Sequence, residues 1–204
     1  MSDSLKNPLG FHWKDGENHL GLESLKKFFE VLPRKKRQFF FFLVGMMGTG
    51  KSTIGKILAE RLELPFIDSD SEIEKDAGRS ISEIFSNQGE VVFRDLEKKF
   101  VTDLLPKKPA IVACGGGLCI PEGMMELLKS RGHVIALLAN AETLLKRTQK
   151  DSSRPLLQVA QPLMVLEKLV RERDARYREA DTLINTDGEL PEQIVENIIK
   201  HAIG

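Results

Sequence analysis

Short apolar runs alternate with amphipathic segments from residue 39 onward, and this alternation predicts most of the fold. The run 39-FFFFLV-44 is wholly apolar, which is typical of a strand buried on both faces. Further strands are predicted at residues 65–67, 110–113, 133–138 and 182–185. Helical spacing predicts helices at 52–62, 70–77, 80–86, 90–105, 123–130, 141–148, 162–179 and 191–202. We therefore expect an α/β domain whose parallel sheet is covered on both faces and binds ligands at the carboxyl ends of its strands.

Residues 1–37 differ from the rest and are interpreted as an N-terminal extension to a folded domain at 38–204. An amphipathic stretch ends at Pro33, and the basic tetrad 34-RKKR-37 follows it. The tetrad could be a targeting or nucleic-acid patch, but a solvated linker before the first strand is favoured. We expect this extension either to dock one helix on the domain or to stay partly mobile.

The composition favours a cytoplasmic enzyme that acts on small molecules. Thirty basic residues balance thirty acidic ones among 204, so no global charge draws the chain to nucleic acid or to a membrane surface. Cys114 and Cys119 have no accompanying metal-ligand set, and reduced thiols are expected. No apolar run approaches the ~20 residues of a membrane span. We expect a monomer.

The segment 45-GMMGTGKS-52 fits the phosphate-binding loop pattern G-x-x-x-x-G-K-[ST]. It lies between a predicted strand and a predicted helix, and this context argues against a chance glycine-rich turn. The loop's backbone N–H groups and the helix N-terminus would surround a phosphate chain. Lys51 would reach the β- and γ-phosphates of a nucleotide, and the Ser52 hydroxyl would ligate Mg²⁺. The predicted ATP-binding residues here are Gly48, Thr49, Gly50, Lys51, Ser52 and Thr53.

Two carboxylates follow the second strand, in the segment 66-FIDSD-70. Alternate residues of an extended chain point the same way, so Asp68 and Asp70 could both face the cleft. One carboxylate near Mg²⁺ and one near an acceptor hydroxyl would suit phosphoryl transfer to an alcohol. Asp70 could equally be the N-cap of the helix that follows, and the two roles are compatible.

Each of the other candidate site residues also has a structural interpretation that involves no ligand. Arg94 could pair on the surface with Glu90 or Glu97. The triple glycine 115–117 offers either close backbone approach to a ligand or a flexible turn. The polar gap 149–153 has the composition of a lid, and Arg154 beside it would either close over phosphates or lie in solvent. Most arginines of the helix 162–179 are expected to form ion pairs, and at most one or two of them to enter the site.

Taken together, these segments resemble the shikimate kinase family over residues 39–203. The resemblance is carried by an ordered set of motifs: 42-FLVGMMGTGKST-53, 66-FIDSD-70, 80-SISEIF-85, 89-GEVVFR-94 with Glu97, 113-ACGGG-117, 154-RPLL-157 and Arg173-x-x-x-Tyr177-x-x-Ala180. It implies a P-loop kinase fold with five parallel strands in the order 2-3-1-4-5 and a mobile lid at about 148–162. Residues 1–37 have no counterpart in the usual family pattern.

The resemblance also implies a function: ATP-dependent phosphorylation of the 3-hydroxyl of shikimate, with Mg²⁺. Catalytic roles fall to Lys51, Asp70 and Arg154, of which Lys51 and Arg154 would stabilise the transferring phosphoryl group. Asp70 would hold substrate hydroxyls, and Asp68 would order Mg²⁺ together with Ser52. Substrate contacts would come from Asp70, Arg94, Gly115, Gly116, Gly117 and Arg173, the two arginines gripping the carboxylate and Gly116 donating an amide. Arg147 and Pro191 would enclose the adenine, and Arg154 would contact ATP.

Two alternatives are open to the same sequence. One is another small-molecule kinase of this fold, such as a gluconate kinase or an adenylate-kinase relative. The two arginines and the 66–70 motif favour shikimate over these. The other is a nucleotide-binding regulatory protein without activity, against which intact Lys51, Ser52, Asp68, Asp70 and Arg154 speak.

The phosphate loop gives the first testable prediction. Lys51→Ala should fold normally but lose about 10²–10³ in rate, because the missing ammonium group would neutralise charge developing in the transition state. Steady-state ADP release, with circular dichroism as the folding control, measures this. A variant that turned over at near wild-type speed would contradict the assignment of the loop.

Overall fold

The computed structural model describes residues 40–149 and 159–203. Five strands run along the chain: β1 (Phe40–Val44), β2 (Phe66–Asp68), β3 (Ala110–Ala113), β4 (Gly132–Leu138) and β5 (Thr182–Asn185). Seven α-helices occur in this part of the chain: α1 (Lys51–Arg61), α2 (Ser69–Ala77), α3 (Ile81–Lys99), α4 (Met124–Arg131), α5 (Ala141–Thr148), α6 (Pro162–Tyr177) and α7 (Pro191–Ile198). Single π-helical segments extend α3 through Phe100–Leu104 and α7 through Ile199–Ile203.

The strands form one parallel sheet in the order β2-β3-β1-β4-β5, which confirms the expected topology. The central strand β1 pairs with β3 on one side and with β4 on the other, so that Phe40 lies opposite both Ala110 and Gly132. All five carboxyl ends therefore share one edge, at which the loops after β2, β3 and β1 are immediate neighbours. The candidate residues after these three strands are brought together by the pairing alone.

Both faces of the sheet are buried, as the unbroken apolar strands predict. Along β1, Phe40, Phe42 and Val44 belong to one core cluster, while Phe41 and Leu43 belong to the other. The helices α1 and α7 pack on the second face, and the remaining helices cover the first. No helix within residues 40–149 and 159–203 is long and apolar enough to cross a membrane.

All five predicted strands are found, with ends shifted by at most one residue. The two helices expected at 80–86 and 90–105 are found as the two parts of α3, which are separated at Gly89. Gly89 has φ 80° and ψ 177°, a non-helical conformation that glycine adopts readily. The predicted extension at 1–37, most of the lid (150–158) and Arg154 lie outside the described residues.

Candidate active site

The phosphate loop joins β1 to α1 and is shaped by glycines in conformations that other residues avoid. Gly45, Gly48 and Gly50 have φ values of 138°, 82° and 94°. A side chain on Gly45 would also overlap the carbonyl oxygen of Leu137 on β4. Within the loop, the Thr49 hydroxyl donates to the Met46 carbonyl oxygen at 2.8 Å and is buried. The loop is thus fixed by its own hydrogen bonds and by close packing against the sheet.

Lys51 begins α1 and lies across the loop. Its ammonium group donates to the carbonyl oxygens of Gly45 and Met46 at 2.8 and 3.0 Å. The side chain therefore stays over the concave side of the loop, in the cleft to which a bound phosphate would be attracted. This position agrees with the role expected for Lys51.

Ser52 and Asp68 meet directly, although they lie on different elements. The Ser52 hydroxyl donates to Oδ2 of Asp68 at 3.0 Å. A hydroxyl and a carboxylate are hard oxygen donors, and Mg²⁺ is commonly held by one or two such protein groups together with phosphate oxygens and water. The pair therefore fits the Mg²⁺ site expected for these two residues.

Asp70 lines the same cleft, but the geometry expected for it was wrong in two respects. The chain is not extended through Asp70, because α2 already begins at Ser69. Nor is Asp70 the N-cap: the Asp68 carboxylate caps α2 by accepting the N–H groups of Asp70 and Ser71 at 3.1 and 3.4 Å. Asp70 instead lies in the first helical turn, with its carboxylate free of the capping role and directed at the glycine turn 115–117.

The electrostatic setting of Asp70 favours a carboxyl group that holds its proton more tightly than usual. Burial raises its pKa from the ordinary value, and the neighbouring Asp68 raises it further. Lys51 and the Ser69 hydroxyl oppose these effects. A carboxylate with a raised pKa is a better hydrogen-bond acceptor and proton acceptor for a substrate hydroxyl.

The glycine turn 115–117 approaches two of the candidate side chains so closely that a Cβ would not fit. A Cβ on Gly115 would overlap the carboxylate of Asp70, and one on Gly117 would lie 2.8 Å from Nη1 of Arg94. A Cβ on Gly116 would meet only ordinary contacts, at 3.6 Å and beyond. The turn is therefore a backbone surface that faces ligand space between Asp70 and Arg94, and not merely a flexible connection.

Arg94 pairs with both glutamates that the sequence offered. Its Nη1 donates to Glu97 at 2.7 Å, and its Nε and Nη2 donate to Glu90 at 3.2 and 2.7 Å. The Glu90 side chain is 65% exposed, whereas that of Glu97 is 2% exposed. Glu97 is therefore the fixed partner that orients the guanidinium group from beneath, and Glu90 is the solvated one.

Burial dominates the ionisation of Glu97. It raises the pKa of this carboxyl to about 7, against the opposing effect of the Arg94 guanidinium. For Arg94, burial likewise disfavours the charged form, but the hydrogen bonds to Glu97 and Glu90 outweigh it and raise the pKa. A raised pKa favours the charged form of Arg94 but disfavours the charged form of Glu97. The two shifts are compatible because Arg94 has two anionic partners and is partly solvated, whereas Glu97 is paired with Arg94 alone in the described part of the chain and has almost no solvent.

Arg173 is the one arginine of α6 that contacts the glycine turn in the described part of the chain. Its Nη1 lies 3.4 Å from the Gly116 carbonyl oxygen and 3.9 Å from the Met46 sulfur. Arg176 pairs with Glu179, and Arg178 pairs with Asp174. Two of the four arginines expected in this helix thus form ion pairs in the described part of the chain, and one contacts the glycine turn.

The other half of the cleft is built at the carboxyl ends of β4 and β5. Arg147, near the end of α5, donates to the hydroxyl and the carbonyl of Thr186 at 3.0 and 2.6 Å. Its Nη1 also lies 3.4 Å from the Gly48 carbonyl oxygen in the phosphate loop. Pro191, Glu189 and Ile194 line the same region. A planar guanidinium group and a proline ring in the lining of one cleft suit a flat heterocycle such as adenine.

These two halves form one cleft of about 520 Å³. Its lining combines the phosphate loop with Asp68, Asp70, Gly115, Gly116, Arg147 and Pro191. Arg94, Gly117 and Arg173 are not among its lining residues, but both arginines contact the glycine turn that borders it. The other predicted site residues in the described part of the chain line the cleft, while Arg154 lies outside that part.

Sequence reasoning missed four residues that support the site: Ser69, Thr186, Glu189 and, as regards its role, Tyr177. Ser69 is buried, and its hydroxyl accepts the Gly115 N–H at 2.8 Å. Tyr177 is also buried, and its hydroxyl donates to the Gly116 carbonyl at 2.6 Å. A signal for Tyr177 was present, because it lies four residues after Arg173 and hence on the same helix face.

The fold and the cleft define a class: a nucleotide-dependent phosphotransferase built on a phosphate loop. Residues 47–202 match the family model for shikimate kinase. A shikimate kinase from Thermodesulfovibrio yellowstonii is 41% identical over 158 residues, covering 78% of this chain and 91% of that protein. One from Chromobacterium violaceum is 47% identical over 147 residues, covering 72% and 80%.

Solved structures agree. A shikimate kinase from Acinetobacter baumannii, in complex with shikimate, aligns with a TM-score of 0.74 and 40% identity over 85% of this chain and 94% of that one. The shikimate kinase from Aquifex aeolicus aligns with a TM-score of 0.68 and 33% identity over 80% and 96%. The chain belongs to the shikimate kinase family, whose enzymes use ATP and Mg²⁺.

The two carboxylates at the end of β2 should be separable by mutation. Asp70→Asn should leave nucleotide affinity nearly intact and lower the rate of shikimate phosphorylation by about 10²–10⁴, the range for a lost proton acceptor. Asp68→Asn should mainly raise the Mg²⁺ concentration needed for activity, because asparagine can still cap α2. Titration of rate against Mg²⁺ for both variants tests this, and identical Mg²⁺ curves would exclude the division of roles.

The buried carboxyl of Glu97 predicts a pH dependence of stability. Its pKa rises from 4.5 in the unfolded chain to about 7 in the folded one. The folded state thus binds more protons between these values, and the Glu97 contribution to stability is lost as the pH rises through about 7. The wild type should lose about 3 kcal/mol relative to Glu97→Gln between pH 4.5 and 7.5. Urea denaturation across this range measures it, and parallel curves for the two proteins would refute it.

Proposed function

We propose that this chain transfers the γ-phosphoryl group of ATP to the 3-hydroxyl of shikimate, giving shikimate 3-phosphate and ADP. One observation carries the proposal beyond family membership. The phosphate loop, the carboxylate of Asp70 and two arginines, Arg94 and Arg173, all border the same glycine turn. A phosphate site, a hydroxyl acceptor and two cations for a carboxylate thus lie around one glycine turn.

Shikimate carries a carboxylate and hydroxyl groups on a small ring, and the acceptor half of the cleft matches both. A guanidinium fork binds a carboxylate through two parallel hydrogen bonds, and two forks from α3 and α6 would fix the ring between them. The 3-hydroxyl would then lie against Asp70. As the oxygen forms its bond to phosphorus, Asp70 would accept the hydroxyl proton, and ADP would leave with the electron pair of the broken bond.

The nucleotide half of the cleft supports the phosphates and the base. The loop N–H groups, Lys51 and Thr53 would contact the phosphate chain, and Arg147 with Pro191 would enclose the adenine. Ser52 and Asp68 would hold Mg²⁺, which supplies charge neutralisation for the phosphates when it is bound. The motif 154-RPLL-157 assigns Arg154 to charge neutralisation at the phosphates as well.

Three further features are proposed for the protein as a whole. The kinase domain comprises residues 38–204 with 1–37 as an extension, which the family match over residues 47–202 supports. The enzyme acts as a monomer. It acts in the cytoplasm, because Cys114 and Cys119 are free and buried, as in a reducing compartment, and burial raises the pKa of Cys119 to about 12.

A coupled ADP-release assay tests the function directly. Shikimate, gluconate and AMP are offered in turn with ATP and Mg²⁺, and the phosphorylated product is located by ³¹P and ¹H NMR. Turnover with shikimate alone, with phosphate on the 3-hydroxyl, is expected. Preference for gluconate or AMP would replace the proposal with another kinase activity, and no turnover with any acceptor would leave a nucleotide-binding protein.

The carboxylate clamp gives a second, independent test. Arg94→Lys and Arg173→Lys should each weaken shikimate binding by about 1.5–3 kcal/mol, the value of a charge-assisted hydrogen bond, with ATP binding unchanged. A lysine keeps the charge but cannot replace the planar fork. Arg178→Lys is the matched control, since this arginine directly follows α6 and pairs with Asp174, and neither residue lines the cleft.

The uncharged amide of shikimate should correspondingly be a poor substrate of the wild type. If the amide were phosphorylated as well as shikimate itself, neither arginine would recognise a carboxylate.

A further inference from the structure

The triple-glycine turn 115–117 has no side chains that could fix its conformation. Three consecutive glycines leave the peptide planes free to rotate, because no Cβ restricts them. Nevertheless the turn has to present one fixed surface to the ligand between Asp70 and Arg94. Some group outside the turn must therefore hold its peptide planes.

Two buried hydroxyl groups hold the turn from opposite sides. On the β2 side, the Ser69 hydroxyl accepts the Gly115 N–H at 2.8 Å. On the α6 side, the Tyr177 hydroxyl donates to the Gly116 carbonyl at 2.6 Å, and Nη1 of Arg173 approaches the same oxygen at 3.4 Å. Tyr177 is 2% exposed, and burial raises the pKa of its phenol above the ordinary value, so the hydroxyl keeps its proton and remains a donor.

The remaining carbonyls of the turn are also occupied. The Gly115 carbonyl accepts the Leu118 N–H at 3.1 Å, and the Gly117 carbonyl accepts the Ile120 N–H at 3.0 Å. Among the hydrogen bonds formed within residues 40–149 and 159–203, the N–H groups of Gly116 and Gly117 take no part. The turn thus directs its carbonyls into the protein and leaves two adjacent N–H donors for an anion.

The hydrogen bond from the Tyr177 hydroxyl determines the orientation of the peptide group between Gly116 and Gly117. In a trans peptide the C=O and the N–H point in opposite directions, so fixing the Gly116 carbonyl towards α6 fixes the Gly117 N–H away from it. A rotation of this peptide would instead direct a carbonyl oxygen at the ligand. Such an oxygen would repel a carboxylate that lies between Arg94 and Arg173.

We propose that Tyr177 is a positioning residue for the acceptor substrate: its hydroxyl holds the Gly116 carbonyl so that the glycine turn presents N–H groups to the carboxylate of shikimate. The inference rests on the proposed function, because it takes shikimate as the ligand of this half of the cleft. Tyr177 itself touches no substrate. It acts through the backbone of Gly116 and shares this task with Arg173.

Tyr177→Phe removes only the hydroxyl and keeps the buried ring, so it is the sharpest test. The dissociation constant of shikimate and its KM should both rise by about 3- to 10-fold, the factor that one lost neutral hydrogen bond produces. The KM for ATP should stay within about twofold. A residue that merely fills the core would change the melting temperature and not separate the two substrates in this way, so equal effects on both KM values, or on neither, would overturn the proposal.

Two control variants remove other bonded hydroxyls. Thr182→Val loses a bond to His133 at the opposite end of the sheet, and it should change neither KM. Thr186→Val loses the contact to Arg147, and it should raise the KM for ATP while leaving shikimate unaffected. If Thr182→Val raised the KM for shikimate as much as Tyr177→Phe, general destabilisation would explain both and the proposal would fall.

A double-mutant cycle tests the shared carbonyl. Because Tyr177 and Arg173 approach the same Gly116 oxygen, the effects of Tyr177→Phe and Arg173→Lys on shikimate binding should be non-additive, whereas those of Tyr177→Phe and Thr186→Val should add. Strict additivity in the first pair would contradict the mechanism.

If Tyr177→Phe does not fold, Ser69→Ala is the second variant, because it removes the hydroxyl that binds the Gly115 N–H at the other end of the turn. It should weaken shikimate binding measured without ATP, and unchanged binding would overturn the proposal. Wild-type turnover of shikimate, measured in parallel, separates this result from a failure of the proposed function.

Discussion

The central strand β1 is the constraint on which the rest of the site depends. It is buried on both faces, with phenylalanines packed alternately against two helical layers, and it cannot shift without opening both cores. The phosphate loop leaves its carboxyl end and passes so close to β4 that a Cβ on Gly45 would overlap the Leu137 carbonyl oxygen. The position of the phosphates is therefore set by the most rigid part of the molecule.

The strand order then divides the cleft around this fixed point. On one side, β3 and β2 end in the glycine turn and in Asp68, on the side proposed for the acceptor. On the other side, β4 and β5 lead to Arg147, Thr186 and Pro191, on the side proposed for the nucleotide. Because both halves are anchored to β1, a donor phosphate and an acceptor hydroxyl can be aligned without the sheet moving, and alignment of this kind accounts for much of the rate in phosphoryl transfer.

The sequence predicted the fold more completely than the detail of the site. Apolar runs identify parallel strands because burial on both faces leaves no polar position, and the loop motif identifies the phosphate site because its glycines are required by the backbone. The break in α3 was predicted at the right place, because Gly89 interrupts the helical pattern. The burial of Glu97 and the bond from the Tyr177 hydroxyl to Gly116 depend on how distant elements pack, and local spacing does not contain that information.

The acceptor specificity of such a kinase cannot lie in the sheet. A gluconokinase from Sinorhizobium meliloti shares the fold, with a TM-score of 0.54 at 15% identity, and that likeness extends to the fold alone. Under the proposed function, the side chains around the glycine turn would select the acceptor. There a buried carboxylate fixes one guanidinium group, a buried phenol fixes the backbone, and a second guanidinium group approaches the same carbonyl oxygen as the phenol. Each polar group of this shell is held by another buried group, so little reorganisation is needed when an anionic acceptor replaces water.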